Sequence, residues 1–149
     1  MPFWNWGTSV INSFSGYYRF LSNFWISQVV YEGLTYRNSE AAYQASKTFD
    51  PTKKLWFLEL EPGQAKRLGK NLPLRADWEE VKNQVMYEIC LAKFTQNPTL
   101  GRLLLQTGDE ELIEGNTWGD THFGVCDGIG ENVLGKVLMK IREELKNKL

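Results

Sequence analysis

Ser39-Glu40-Ala41-Ala42-Tyr43-Gln44-Ala45-Ser46-Lys47 is a helical pattern without a greasy face. Glu40, Tyr43, Gln44 and Lys47 fall at i, i+3, i+4 and i+7, so a helix projects all four from one side. The remaining sides carry Ala41, Ala42, Ala45 and Ser46, residues small enough to let neighbouring elements approach closely. Such a helix is expected inside the molecule, its acid, phenol, amide and amine lining an internal hollow. The competing reading is a solvated face with an ordinary Glu/Lys pairing.

Upstream of this helix, Val29-Val30-Tyr31 and Leu34-Thr35-Tyr36 flank Glu32-Gly33, which signals a β-hairpin. Phe14-Ser15-Gly16 and Phe20-Leu21-Ser22-Asn23-Phe24 are aromatic but interrupted by turn formers, so they read as loops and short strands. Ser39 is the expected N-cap of the first helix. Asp50-Pro51 reads as the cap and first turn of a second helix that runs through Leu55-Trp56-Phe57-Leu58. Pro62-Gly63 breaks it, and a short helix follows through Ala65 and Leu68 to Gly69.

Asp77-Trp78-Glu79-Glu80 resembles a capping box opening the longest helix, on which Val81, Val85, Ile89, Ala92 and Phe94 form the apolar face. Asn97-Pro98 begins another, carrying Leu100, Leu103 and Leu104 and ending at Thr107-Gly108. Glu111-Leu112-Ile113-Glu114 is a candidate strand. Leu134, Val137, Leu138, Ile141 and Leu145 mark an amphipathic terminal helix. Many helices with short strands imply an α+β, mostly helical fold, and residues 1–149 read as one domain.

With 149 residues the chain is long enough to bury a sizeable core. Its net charge of −1 argues against sequence-blind adhesion to nucleic acid, which needs broad basic surface. Six Trp exceed ordinary core filling, which leaves rings over as ligand-stacking surfaces. Cys90 and Cys126 have neither metal-ligand spacing nor a disulfide framework, and the single His122 cannot build a zinc site, so no metal and no cofactor is expected. Cys90 reads as a small buried hydrophobe. No apolar run approaches the roughly 18 to 20 residues needed to cross a bilayer. Met1-Pro2-Phe3-Trp4-Asn5-Trp6 lacks the charge and apolar stretch of an export signal, so the expected location is cytoplasmic.

Two polar segments have no obvious place in a core. Ser22 and Asn23 sit between aromatic and apolar neighbours that could hold them near a pocket. The second runs through Asn116-Thr117-Trp118-Gly119-Asp120 and on from Gly124 to Asn132. Its glycines allow close backbone approach to a ligand, and Asn132 precedes the terminal helix, whose N-terminus favours phosphate. Glu40 and Asp120 are carboxylates in unusual settings, and paired carboxylates suit glycosidic cleavage. Lys47, if partly desolvated, offers a Schiff-base route instead. The residues alone leave both routes open.

In order along the chain, these motifs resemble the NADAR family, which includes the YbiA-like N-glycosidases. The resemblance rests on Phe20-Leu21-Ser22-Asn23-Phe24, on Asn38-Ser39-Glu40 through Tyr43-Gln44-Ala45 to Lys47, and on Ala65-Lys66-Arg67-Leu68-Gly69. It continues through Arg75-Ala76-Asp77-Trp78, Val81-Lys82-Asn83-Gln84-Val85-Met86, Leu91-Ala92-Lys93-Phe94, Trp118-Gly119-Asp120 and Asn132-Val133-Leu134-Gly135.

The resemblance implies an α+β, largely helical fold and metal-free N-glycosidase chemistry on an ADP-ribose-like or ribose-phosphate substrate. Family substrates include phosphoribosylated amino-pyrimidines of riboflavin synthesis and ADP-ribosylated guanine bases, the latter making ADP-ribosylated nucleic acid a candidate partner. A non-catalytic module that binds ADP-ribose or another nucleotide is the alternative class. Carried onto this chain, the expected reaction centre is Glu40, Lys47 and Asp120. Phe20, Ser22, Asn23, Tyr43, Gln44, Trp118, Gly119 and Asn132 are expected around the ligand. Ala41 departs from the histidine that relatives often carry, and Glu131 and Val133 flank Asn132 where relatives can be basic. The thinner basic surroundings favour ADP-ribosylated guanine over a compact ribose phosphate. The oligomeric state is not legible in the sequence.

Overall fold

The structure, a computed structural model, describes residues 9–149. The stretch Met1–Trp6, read as carrying no export signal, lies outside them. The element order is β1 (Val10–Ile11), a 3-10 helix (Gly16–Leu21), β2 (Ile26–Tyr31), β3 (Leu34–Asn38), α1 (Ser39–Ala45), α2 (Pro51–Leu55), α3 (Pro62–Gly69) and α4 (Trp78–Gln96). There follow α5 (Pro98–Gln106), β4 (Glu111–Leu112), β5 (Gly115–Asn116), β6 (Val125–Cys126) and α6 (Val133–Asn147). The fold is α+β and mostly helical, as the sequence led us to expect. Among the described residues no helix is long and apolar enough to cross a membrane. The chain forms two compact units, one of residues 23–98, the other of the segments up to Ser22 and from Thr99.

In the unit of residues 23–98, β2 and β3 pair antiparallel, with Val29 opposite Tyr36 and Tyr31 opposite Leu34. Glu32 (φ 49°) and Gly33 (φ 81°) both take left-handed backbone, the type I′ geometry whose twist matches a two-residue hairpin. Helix α4 lies along β2. The Gln96 side chain imitates a further strand residue there: its Oε1 accepts from Val30 N at 2.8 Å and its Nε2 donates to Val30 O at 2.9 Å. The core beneath combines Val29, Tyr36, Ile89 and Phe94 with the alanines of α1.

Several boundaries differ from the expectation. Asn38, not Ser39, caps α1: its Oδ1 accepts from Ala41 N at 2.8 Å, and Ser39 is already helical. Helix α2 stops at Leu55, because Leu55 and Trp56 stay exposed and Phe57 alone is fully buried, so another helical turn would gain no core contact. The 3-10 helix replaces the short strand expected near Phe20. Asp77 makes no capping bond at α4; its carboxylate is engaged by Arg75. The inward face of α4 is Val85, Met86, Ile89, Cys90, Lys93 and Phe94, while Val81 and Ala92 are half-buried. The strand read over Glu111–Glu114 contracts to Glu111–Leu112.

In the other unit, β1 pairs parallel to β4 and β5 pairs parallel to β6. Leu134, Leu138 and Ile141 bury the inner face of α6, and Leu100 and Leu104 that of α5. Gly135 permits this packing, since a Cβ there would meet Leu112 O and the Asn132 amide.

Lys93 is fully buried on α4, one turn from Cys90. Burial pushes the Lys93 amine down to about 8, against an opposing influence from Cys90, and pushes the Cys90 thiol up to about 12. Between pH 8 and 9 the unfolded chain holds the Lys93 proton that the folded chain has begun to release, so stability rises with pH there. Above pH 9 the unfolded thiol ionises while the folded one does not, and Cys90 acts in the opposite direction. The expected Lys93 contribution is on the order of 1 kcal/mol across that unit of pH. Urea unfolding of the native protein and of Lys93→Met at pH 8 and pH 9 checks it: the native protein gains stability and the variant gains less. Equal slopes for the two would refute the assignment.

Candidate functional site

Helix α1 is buried along its whole length; Ala41, Ala42 and Ala45 have no exposed surface at all. The side-chain cluster expected on it is therefore internal rather than a solvated face. Its entry is fixed by long-range bonds. Glu40 N donates to Asn23 O at 3.1 Å, Ser39 Oγ donates to Asn23 Oδ1 at 3.0 Å, and the Asn38 amide donates to Leu60 O at 3.0 Å. Asn23, expected beside the ligand, is thus a buried clasp for the helix start. Its Nδ2 lies 3.2 Å from Met86 Sδ, and Cys90 Sγ lies 3.7 Å from its Oδ1.

Glu40, one turn earlier on the same helix, accepts a hydrogen bond from Gln44 Nε2 at 2.6 Å. The glutamine acts as the acid's orienting partner, as their i, i+4 spacing allows. Gln44 Oε1 is buried without a hydrogen-bond partner and faces Gly69 of α3, where any Cβ would strike the amide. Gly69 is therefore what lets α3 approach α1. Tyr43 is buried against Trp78 with ring centroids 5.1 Å apart.

Lys47 lies two residues past the end of α1 and is half-buried. Desolvation depresses its pKa; the Glu40 carboxylate acts against that, and Lys66 of α3 and Lys70 just past its end add to the depression. The amine thus feels one carboxylate and two further lysines. A partly buried amine perturbed by a nearby acid is a mark of functional sites.

In the other unit, Asp120 Oδ1 accepts from His122 N at 3.1 Å and Phe123 N at 2.9 Å, so the carboxylate closes its own turn. Asn116, not singled out in the sequence, organises this loop. Its Oδ1 accepts from Trp118 N and Asp120 N, and its Nδ2 donates to Asp120 O. Trp118 is 62% exposed, and Gly119 (φ 85°) is left-handed beside it. Asn132 (φ 55°) is left-handed too, and its amide serves the backbone: Nδ2 donates to Leu112 O at 2.8 Å and Oδ1 accepts from Glu114 N at 2.9 Å. The phosphate site expected at the start of α6 meets a difficulty. Val133 N and Leu134 N already donate to His122 O and Phe123 O, at 3.1 and 2.9 Å. Phe20 is buried and Ser22 half-buried at the end of the 3-10 helix.

The structure thus brings Glu40, Tyr43, Gln44, Lys47 and Asn23 together in one unit, and places Asp120, Trp118, Gly119 and Asn132 in the other. A cavity of about 590 Å³ lined by Ile26, Leu34, Tyr36, Arg37 and Leu58 contains none of the expected site residues. Among the described residues no three His, Cys, Asp or Glu side chains are grouped to hold a metal. Sequence reasoning missed Asn38, Asn116 and the Arg75–Asp77 pair as organisers. The signals were present as Asn and Asp beside turns, but their partners could not be read locally.

The chain is similar to known proteins over nearly its whole length. The NADAR domain model matches residues 3–146. N-glycosidase YbiA of Escherichia coli (strain K12) is 38% identical over 143 residues, covering 92% of this chain and 89% of that protein. N-glycosidase Npun_R5314 of Nostoc punctiforme is 40% identical over 118 residues, 74% of each chain. Riboflavin biosynthesis protein VVA0006 of Vibrio vulnificus is 39% identical over 134 residues, 85% of this chain but 35% of that longer protein. The NMR structure of E. coli YbiA superimposes with a TM-score of 0.84 at 36% identity, covering 94% of this chain and 86% of that one. The fold and the relatives define an enzyme of the N-glycosidase class. The chain belongs to the NADAR domain family.

Proposed function

We propose that this enzyme hydrolyses the bond between a ribose anomeric carbon and an exocyclic amine, and that ADP-ribosylated guanine is its preferred substrate. The observation that carries the reading is the buried Glu40, oriented by Gln44 and coupled to the half-buried Lys47. In this mechanism the ribose ring opens at C1, leaving an imine between C1 and the base's exocyclic nitrogen. Lys47 adds to C1 as a neutral amine. The Glu40 carboxylate takes the protons that the attacking amine sheds and passes them to the base nitrogen, which departs as a free amine, and water then hydrolyses the Lys47 imine to release the sugar. Lys66 and Lys70 supply the positive field that a phosphorylated ribose needs.

The exposed Trp118 supports the guanine reading as a surface for base stacking. A second reading is a phosphoribosylated intermediate of riboflavin synthesis, favoured by the names of relatives such as the Vibrio protein and the chloroplastic PYRR of Zea mays. Purified protein is to be incubated separately with an ADP-ribosyl-guanine oligonucleotide and with the riboflavin intermediate, and free base measured. Faster release from the oligonucleotide is expected. Release from the intermediate alone would reverse the preference, and ADP-ribose binding without release from either would make the protein a binding module.

A further inference from the structure

Lys47 stands outside the helix that leads to it, so the pitch of α1 alone does not fix its direction. One residue from a distant loop holds the segment that carries it at three points. Arg75 N donates to the Lys47 carbonyl at 2.7 Å. The Arg75 guanidinium reaches the Ser46 carbonyl at 3.4 Å and lies over the Phe49 ring, 4.1 Å from its centroid. Residues 46, 47 and 49 are thus held from one point.

The guanidinium is itself held. Asp77 accepts from Arg75 Nε at 2.6 Å and from Nη2 at 3.0 Å, a two-pronged pairing that fixes the plane of the group. Asp77 is more than a third exposed, and pairs in that setting contribute little to stability. What the pair supplies is direction. Neither Arg75 nor Asp77 was expected in the site, and Phe49 keeps most of its surface exposed instead of anchoring a core.

We propose that Arg75, oriented by Asp77, is the positioning residue that aims Lys47. It touches no reacting atom; it acts through the backbone and ring of the segment that carries the amine. The inference rests on the reading of Lys47 as the reacting group. It goes beyond that reading in assigning the amine's precision to a loop 28 residues away, between Lys47 and Arg75.

Arg75→Lys keeps the charge but loses the planar fork, the stacking and the reach to Ser46. Asp77→Asn keeps the size and one acceptor and is the milder variant should Arg75→Lys fold poorly. Both leave the backbone bond from residue 75 to Lys47 in place. A misplacement of about 1 Å is worth up to ~100-fold in rate. The expected result is a kcat reduced about 10- to 100-fold in Arg75→Lys and less in Asp77→Asn, with KM within about twofold of native. Alongside kinetics, NMR relaxation of the Lys47 ε-methylene is to be measured in the native protein and both variants. A Lys47 ordered in the native protein and more mobile in the variants supports the proposal independently of turnover. Unchanged Lys47 order, or a raised KM at unchanged kcat, overturns it. A native protein that turns over neither substrate defeats the catalytic reading instead, while the relaxation data still judge the clamp.

Discussion

Lys47→Arg is expected to lose roughly three orders of magnitude or more in kcat while folding normally. Removing a group that forms a covalent intermediate leaves only binding and field effects behind. Arginine retains the charge near Glu40 and Lys66 but has no neutral amine to offer at accessible pH. The variant therefore separates two roles that Lys47→Met would remove together. If Lys47 only supplied positive charge, Lys47→Arg would keep much of the native rate. The same chemistry makes borohydride a direct probe: reduction during turnover should join the sugar to native protein at Lys47 and to neither variant. Absence of such an adduct, together with substantial activity in Lys47→Arg, would remove the Schiff-base route.

The pH profile follows from the same group. A neutral amine is needed, so kcat/KM should be low where Lys47 is protonated and rise with pH through its pKa to a plateau. Burial moves that pKa below the ordinary lysine value, with Lys66 and Lys70 assisting and Glu40 resisting. The rise should therefore lie at lower pH than a solvated lysine would give.

Much of this arrangement is legible in the sequence because it is local. Three alanines and the i, i+4 spacing of Glu40 and Gln44 define a buried helix with one polar side, and Glu32-Gly33 defines the hairpin that leads into it. The failures involve partners far away in the chain. Ser39 and Asn38 are both good caps, and the choice went to Asn38, which also donates to Leu60 O, while Ser39 turns to Asn23. The part Asn23 plays in holding the start of α1 is likewise not local, since Met86 and Cys90, more than sixty positions away, lie around its amide. The Asn132 amide completes the backbone bonds of Leu112 and Glu114, a structural role that its sequence neighbours do not announce. Asp77 satisfied every local rule for a cap, but a guanidinium two residues earlier is a stronger partner than a helix amide.

Glu40→Gln should reduce kcat by about 10²- to 10⁴-fold, the range lost when a positioned proton donor or acceptor is removed. Glutamine matches glutamate in size, and its carbonyl oxygen can still accept from Gln44 Nε2, so the alanine-lined packing of α1 is retained. What disappears is the negative charge and, with it, the capacity to take up and pass on a proton. The charge has a consequence of opposite direction. In the native protein Glu40 raises the Lys47 pKa against desolvation, so its loss leaves Lys47 easier to deprotonate. The plateau of kcat/KM should fall while its acid limb moves to lower pH. A substitution that merely loosened α1 would expose Lys47 to water and move that limb upward, toward the value of a free lysine. The direction of the limb in Glu40→Gln thus separates loss of the acid from collapse of the site, and a rate near native in that variant would take Glu40 out of the chemistry.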